Sequence, residues 1–459
     1  MVRPADVTGP VIAVCGIAGR SVGRPLPGAL VGRLHYPLVE RRVDRGKGFL
    51  VGDGLLLIIE SGFQNHREYI FRALSGRHRL WLLTAQQPTW ELPYLAGHTV
   101  VDTMSVAALV AAVRALRAPV AGVLCYDELR VVPAAGLAHA LGLPGPSPQA
   151  AQACRDKGIC RRLLARAGVP QPRSVPVSDL AGAARAADDL GYPVVVKPRD
   201  MAGSVGVCLV EDAVQLADAV RRASGVTFAG VPRHAGLLVE EYLVGPEISV
   251  DTVVRDGRAV PVIVAHKSQD LKPTFEETGH LVRAGDELLA DEALVETLAA
   301  AHHAIGWTYG ITHTEVKLTA SGPRIVEING RFGGDLIPRL GQLATGIDLV
   351  EAATALALGD APVLTPSRTC TAAIRWLYPA HDMRVTDIRV DWSAMPPGVW
   401  ELKLFVAPGQ RLRLPPRQHV LDRLGFAIAV GDLPESCRRT LELVPRAVRV
   451  TGTRLASQG

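Results

Sequence analysis

Residues 312–334 read THTEVKLTASGPRIVEINGRFGG, and no other stretch limits the fold of this chain so sharply. Apolar and polar residues alternate on both sides of Ala320-Ser321-Gly322, the pattern of a β-hairpin whose glycine takes the left-handed position. Pairing the arms about Ser321 sets Glu315 opposite Glu327. Like charges facing across a ladder lie roughly 4.5–5.5 Å apart at Cβ and repel. Either a cation lies between them or both stand on a solvated face. Asn329 shares the face of Glu327 and adds an amide oxygen. Two carboxylates and an amide oxygen suit a hard cation such as Mg²⁺.

At 459 residues the chain exceeds one ordinary core and should divide into about two to four domains. With 48% hydrophobic and 21% charged residues it reads as soluble and globular. The net charge of +5 is small for this length, and no long Lys/Arg run is interleaved with aromatics, which argues against nucleic acid as a partner. Lysine is scarce beside arginine, so each lysine inside a motif carries more information. The seven cysteines are scattered without a CxxC pair, which argues against a disulfide framework or zinc site and for a reduced, cytoplasmic setting. VIAVCGIAG at 11–19 reads as a first strand, and no apolar run approaches the length of a membrane span.

The fold class is α/β with α+β parts. Short apolar runs alternate with helical patterns through the first part of the chain, from GLLLIIESG at 54–62 to VAGVLCYDE at 120–128, as in a doubly wound α/β domain. Ligands of such sheets gather beyond the carboxyl ends of the strands, which makes Ser61, Gly62, Asp127 and Glu128 either a site rim or helix caps. LGLPGPSPQ at 141–149 breaks the pattern and marks a boundary, so the N-terminal domain spans 1–146. One helix is expected over 150–168, stopped by Gly168 and Pro170. A small unit at about 175–244, with strands around one amphipathic helix at 213–223, has the size of a mobile lid within a domain spanning 147–360. Residues 361–459 read as β-rich with a closing helix.

GYPVVVKPRDMAGSVGVCLV at 191–210 is a strand ending in Lys197, a loop with Gly203, Ser204 and Gly206, then another strand. Glycines let backbone N–H groups approach phosphate oxygens, and a neighbouring lysine supplies charge. LLVEEYLVGPEISVD at 237–251 is a strand, a short crossing and a strand, with Glu240 and Glu247 seven residues apart. Taken in order, Lys157, Lys197 before its glycine loop, EEYLVGPE, then Glu315, Glu327, Asn329 and Arg331 in EINGRFGG resemble the ATP-grasp superfamily. Within it, KPTFEETGHLVRA at 272–284 and LGLPGPSPQAAQACRDK at 141–157 resemble the L-amino-acid ligases of the bacilysin-synthetase type and the ATP-grasp domain of carnosine synthase. The resemblance runs from about Leu141 to Leu358 and leaves residues 1–50 aside.

That resemblance implies a doubly wound N-terminal domain, a lid, a metal-binding central domain and a β-rich C-terminal domain. It implies that Lys157, Lys197 and the Gly203–Ser204–Gly206 loop contact ATP phosphates, and that Glu240, Tyr242, Leu243 and Glu247 hold adenosine. Glu315, Glu327 and Asn329 would ligate two Mg²⁺, with Mn²⁺ as a substitute. Arg331 with the amides of Gly333 and Gly334 would stabilise the transferring phosphoryl group and the oxyanion. Glu277, with Glu276 as its rival, would receive the donor ammonium, and His280 would lie near the acceptor. The implied activity is ATP-dependent dipeptide ligation through an acyl phosphate, on small-molecule amino acid or amine substrates. A carboxylase or ligase for other substrates and a non-catalytic nucleotide-binding protein stay open, as does a homodimer. His302 and His303 sit in a helical stretch without a HExxH pattern and read as structural.

Overall fold

The computed structural model describes residues 31–32, 54–226, 236–269, 271, 274–415, 417–418 and 420–456; the first strand expected at 11–19 lies outside them. The chain divides into two compact units. The larger comprises Val43–Lys267 and Val282–Thr369, the smaller Met1–Arg42, Ser268–Leu281 and Cys370–Gly459.

The larger unit begins with a four-stranded parallel sheet, in the order Gly97–Val100, Arg79–Thr84, Leu55–Ile59, Val120–Leu124. Leu55–Ile59 is buried along its whole length, as an uninterrupted LLLII run demands in a sheet covered on both faces. The helices Gln64–Leu74 and Val106–Arg114 are the expected crossovers.

The single helix expected over 150–168 is two, Pro148–Arg155 and Lys157–Arg166. Asp156 separates them with an extended backbone, and its carboxylate accepts from the Gly158 and Ile159 N–H groups. A capping side chain competes with the helix for those donors and starts a second one.

The small unit expected at about 175–244 is an antiparallel sheet in the order Ser174–Val177, Leu237–Glu241, Val194–Pro198, Cys208–Val210. It carries two helices where one was expected. Ala213–Gly225 agrees, but Leu180–Leu190 also buries Ala183, Ala186 and Ala187, an alanine stripe too weakly apolar to stand out in the sequence.

Beyond this small unit, Arg258–Ser268, Glu247–Arg255, Gly310–Thr319 and Gly322–Asn329 run antiparallel in that order, backed by the helix Glu292–Ile305. In that helix His302 is buried, bonded to the Leu298 carbonyl and the Thr312 hydroxyl, and burial holds it down at about 4. The two-residue turn Ala320-Ser321 pairs Val316 with Ile325, and a bulge at Val326 then brings Glu315 opposite Glu327. The carbonyls exposed by the bulge accept from Arg161, at 3.1 Å for Ile325 and 2.6 Å for Val326. Gly245 starts the crossing into Glu247–Arg255 at φ +145°, where a Cβ would collide with the Leu318 carbonyl oxygen.

In the smaller unit, strands Thr371–Leu377, Gly425–Gly431 and Val399–Leu404 pair antiparallel over a core that includes Leu402, Leu441 and Val444. The helix Pro434–Ala447 does not close the chain. Val448–Arg454 follows as a strand paired with Met383–Val390. No described helix is long and apolar enough to cross a membrane.

Candidate functional site

Glu315 and Glu327 face each other from adjacent strands of the larger unit, and each has a lysine beside it. The Lys157 ammonium lies 2.8 Å from Glu327 Oε1, and the Lys267 ammonium lies 3.1 Å from Glu315 Oε2 and 2.8 Å from Glu247 Oε1. Burial pushes the Glu327 carboxyl up, but Lys157, with weaker help from Lys197 and Lys267, more than offsets this and holds it below the usual range. Lys267 escaped the sequence reading; its rarity as a lysine was the signal that could have found it.

Asn329 lies between two carboxylates. In the orientation that satisfies both ends of its amide, its side-chain NH₂ donates to Glu327 Oε1 at 3.2 Å and to Glu128 Oε2 at 3.1 Å. Two carboxylates and an amide that can turn its oxygen are the ligand types of a hard divalent cation. Glu128 reaches this point from the end of the parallel sheet, where its position beyond Val120–Leu124 made it either site rim or helix cap. It also accepts from Arg331 Nε at 2.8 Å.

Behind Arg331, the buried Asp251 carboxylate organises the glycine loop. Its Oδ1 accepts from the Gly333 N–H at 2.8 Å and lies 2.9 Å from His313 Nδ1. A Cβ on Gly333 would lie 3.0 Å from His313 Nδ1 and 3.2 Å from Asp251 Oδ2, tight enough that these side chains would have to shift by a few tenths of an ångström. The Gly333 amide is thereby committed to Asp251, which leaves Gly334 as the amide of the pair free to face a ligand. Sequence reasoning missed Asp251 and His313, whose pairing depends on the register of two strands distant in sequence.

Lys197 and Glu240 form a buried cluster with Arg161. Glu240 lies 2.6 Å from the Lys197 ammonium and 2.7 Å from Arg161 Nε, and it accepts from the Ser174 hydroxyl at 3.0 Å. Burial alone would raise the Glu240 carboxyl, yet Arg161 and Lys197 hold it at about 2; burial lowers the Lys197 ammonium. Glu247 is engaged by Lys267 and by Lys317 at 3.2 Å. Leu243 is buried, and Tyr242 lies just past the end of Leu237–Glu241. The loop after Lys197 turns through positive φ at Gly203, Ser204 and Gly206, and the Met201 carbonyl accepts from Lys157 at 2.6 Å.

Glu276, Glu277 and His280 belong to the smaller unit. Glu276 is buried, accepts from the Tyr378 hydroxyl at 2.5 Å and lies 3.5 Å from Arg423, which stacks over Trp376. Glu277 is less buried and lies 3.2 Å from His280 Nε2.

Residues 190–339 match the model of the ATP-grasp domain. The chain contains an ATP-grasp domain. It is 29% identical over 389 residues to the uncharacterised protein y4rH of Sinorhizobium fredii, covering 82% of this chain and 78% of that one. It is 29% identical to alanine–anticapsin ligase of Bacillus subtilis over 49% of this chain and 51% of the relative. Carnosine synthase 1 of Homo sapiens is 30% identical over 63% of this chain and 39% of its own length. The chain thus spans about half or less of these two ligases. Among solved structures, an L-amino acid ligase from Bacillus licheniformis shares the fold with a TM-score of 0.73 at 22% identity, over 87% of this chain and 99% of that one. The ATP-grasp match encloses Lys197, the glycine loop, Glu240, Glu247, Glu315, Glu327, Asn329 and Arg331.

Proposed function

We propose that this ATP-grasp protein joins a carboxylate donor to an amine acceptor, both amino acids, through an acyl phosphate, releasing ADP and phosphate. The observation that carries the reading is the pairing of Glu315 with Glu327, each beside a lysine and with Lys157 holding Glu327 ionised, next to Glu128 and Asn329. The similarity to alanine–anticapsin ligase and carnosine synthase points the same way.

A carboxylate is a poor acyl donor because oxide would have to leave. Transfer of the γ-phosphoryl group to a donor oxygen gives a leaving group the amine can displace. Mg²⁺, or Mn²⁺ in its place, bound by Glu315, Glu327 and Asn329 would neutralise the β- and γ-phosphate oxygens. Lys157 and Lys197 draw the phosphates in, and the loop through Gly203, Ser204 and Gly206 covers them. Glu240, Tyr242, Leu243 and Glu247 form the adenosine side. Arg331, held in direction by Glu128, bears on the transferring phosphoryl group, and the Gly334 amide on the oxyanion that forms when the amine attacks. Glu277 with His280 is the candidate for the donor ammonium.

Hydroxylamine trapping tests this directly. With ATP, Mg²⁺ and each of the twenty amino acids singly, at least one donor should give a hydroxamate together with ADP. ADP formation without a hydroxamate from any amino acid would point to another class of phosphoryl acceptor.

A further inference from the structure

Arg67 has no part in the roles above. It lies in the first turns of the helix Gln64–Leu74, just beyond Ser61 and Gly62 at the carboxyl end of Leu55–Ile59. That strand is flanked by Arg79–Thr84 on one side and Val120–Leu124 on the other, so the connections diverge here, where open parallel sheets bind ligands. The Arg67 guanidinium carbon lies 5.3 Å from the centroid of the Tyr126 ring. Tyr126 in turn stacks on Phe332 at 5.7 Å, and Phe332 directly follows Arg331. Arg67 is therefore one aromatic pair away from the residue assigned to the transferring phosphoryl group.

Among the described residues Arg67 makes no ion pair. The first turn of its helix has no acidic residue, the N-cap, Phe63, offers no side-chain acceptor, and the adjacent Glu68 carboxylate is engaged by Arg72 and the Tyr94 hydroxyl. The unsatisfied N–H groups of a helix start add to the positive field. Two residues on, the buried Tyr69 hydroxyl has no hydrogen-bond partner. Burial raises that phenol to about 12 against the lowering charge of Arg67, so it stays a donor at neutral pH. A half-buried guanidinium without an ion pair is complementary to a planar anion that takes two hydrogen bonds, and the Tyr69 hydroxyl donor without an acceptor lies two residues along the same helix.

We propose that Arg67, assisted by the Tyr69 hydroxyl, binds the carboxylate of the acceptor, so that the attacking amine must itself be an amino acid. The assignment to the acceptor rests on the ligase reading, because the phosphates, the transferring phosphoryl group and the donor ammonium already have partners there. The anion site itself stands on the Arg67 surroundings. It separates two classes of nucleophile that the Arg331 site alone treats alike, amino acids and simple amines.

The test uses the full chain and its Arg67→Met and Arg67→Lys variants, first shown to unfold at the same temperature. Calorimetry is run with the twenty amino acids and with their decarboxylated amines, and ADP formation is then measured with the pairs that bind. We expect at least one amino acid to bind wild type about tenfold or more tighter than its amine. Arg67→Met should erase that margin by raising the acceptor KM, Arg67→Lys should restore part of it, and the donor KM should not move. Equal amino-acid binding in wild type and Arg67→Met, or binding of no amino acid by wild type, overturns the proposal. Arg67-dependent binding without amide formation would count against ligation and leave the site standing.

Discussion

The Lys157 ammonium lies 2.8 Å from Glu327 Oε1 and donates to the Met201 carbonyl at 2.6 Å, so one lysine ties the proposed metal carboxylate to the loop that follows Lys197. Glu327→Ala should remove a cation ligand and the partner of Lys157 together. ADP formation should fall by at least about a hundredfold, and a direct Mg²⁺ or Mn²⁺ titration should show weaker binding. Normal turnover in this variant would remove Glu327 from the metal site.

Glu240 should make stability depend on acid. Its carboxyl titrates at about 2 when folded, against an ordinary value of 4.5, because Arg161 and Lys197 outweigh its burial. The stabilisation, about 3 kcal/mol, is complete above the ordinary value and disappears as pH falls from there towards 2. Denaturant titrations of wild type should lose stability across that window. Glu240→Gln should be less stable at neutral pH and lose less on acidification. An identical pH profile in both proteins would contradict the cluster.

The two neighbouring glutamates of the smaller unit should separate by phenotype. Glu276 is buried against Tyr378 and Arg423, so Glu276→Ala should cost about 3 kcal/mol or more in stability. Glu277→Ala should spare stability and raise the donor KM. An unchanged donor KM after loss of Glu277 would require another residue for the donor ammonium.

Asp251 is expected to act through the loop it holds. Asp251→Ala frees the Gly333 N–H and should lower kcat about tenfold while KM for ATP stays near wild type. Asp251→Asn keeps an acceptor for that N–H and should recover much of the loss. A fall in unfolding temperature with kcat untouched would make the residue purely structural.

Alternation in 312–334 made the hairpin legible, and the spacing of its glutamates correctly placed Glu315 opposite Glu327. The bulge at Val326 was hidden, because its carbonyls are satisfied by Arg161, a residue remote in sequence. Local signals likewise gave the apolar strands of the parallel sheet but misread Asp156, whose capping role only a backbone conformation reveals. The candidate site divides along the same line. Residues within continuous motifs could be named in advance, whereas Lys267, Asp251 and His313 enter through strand register, and Glu128 joins Asn329 only when the end of one sheet meets another. Glu276 and Glu277 looked interchangeable until burial distinguished them.

The most direct measurement is phosphate release from the purified full chain with Mg²⁺ and ATP across all pairs of the twenty amino acids, with mass spectrometry on each reaction. Dipeptide ligation requires release that depends on both members of a pair and a product whose mass is their sum less one water. Phosphate release that depends on bicarbonate, or on no amino acid, with no condensed product in any reaction, would contradict it.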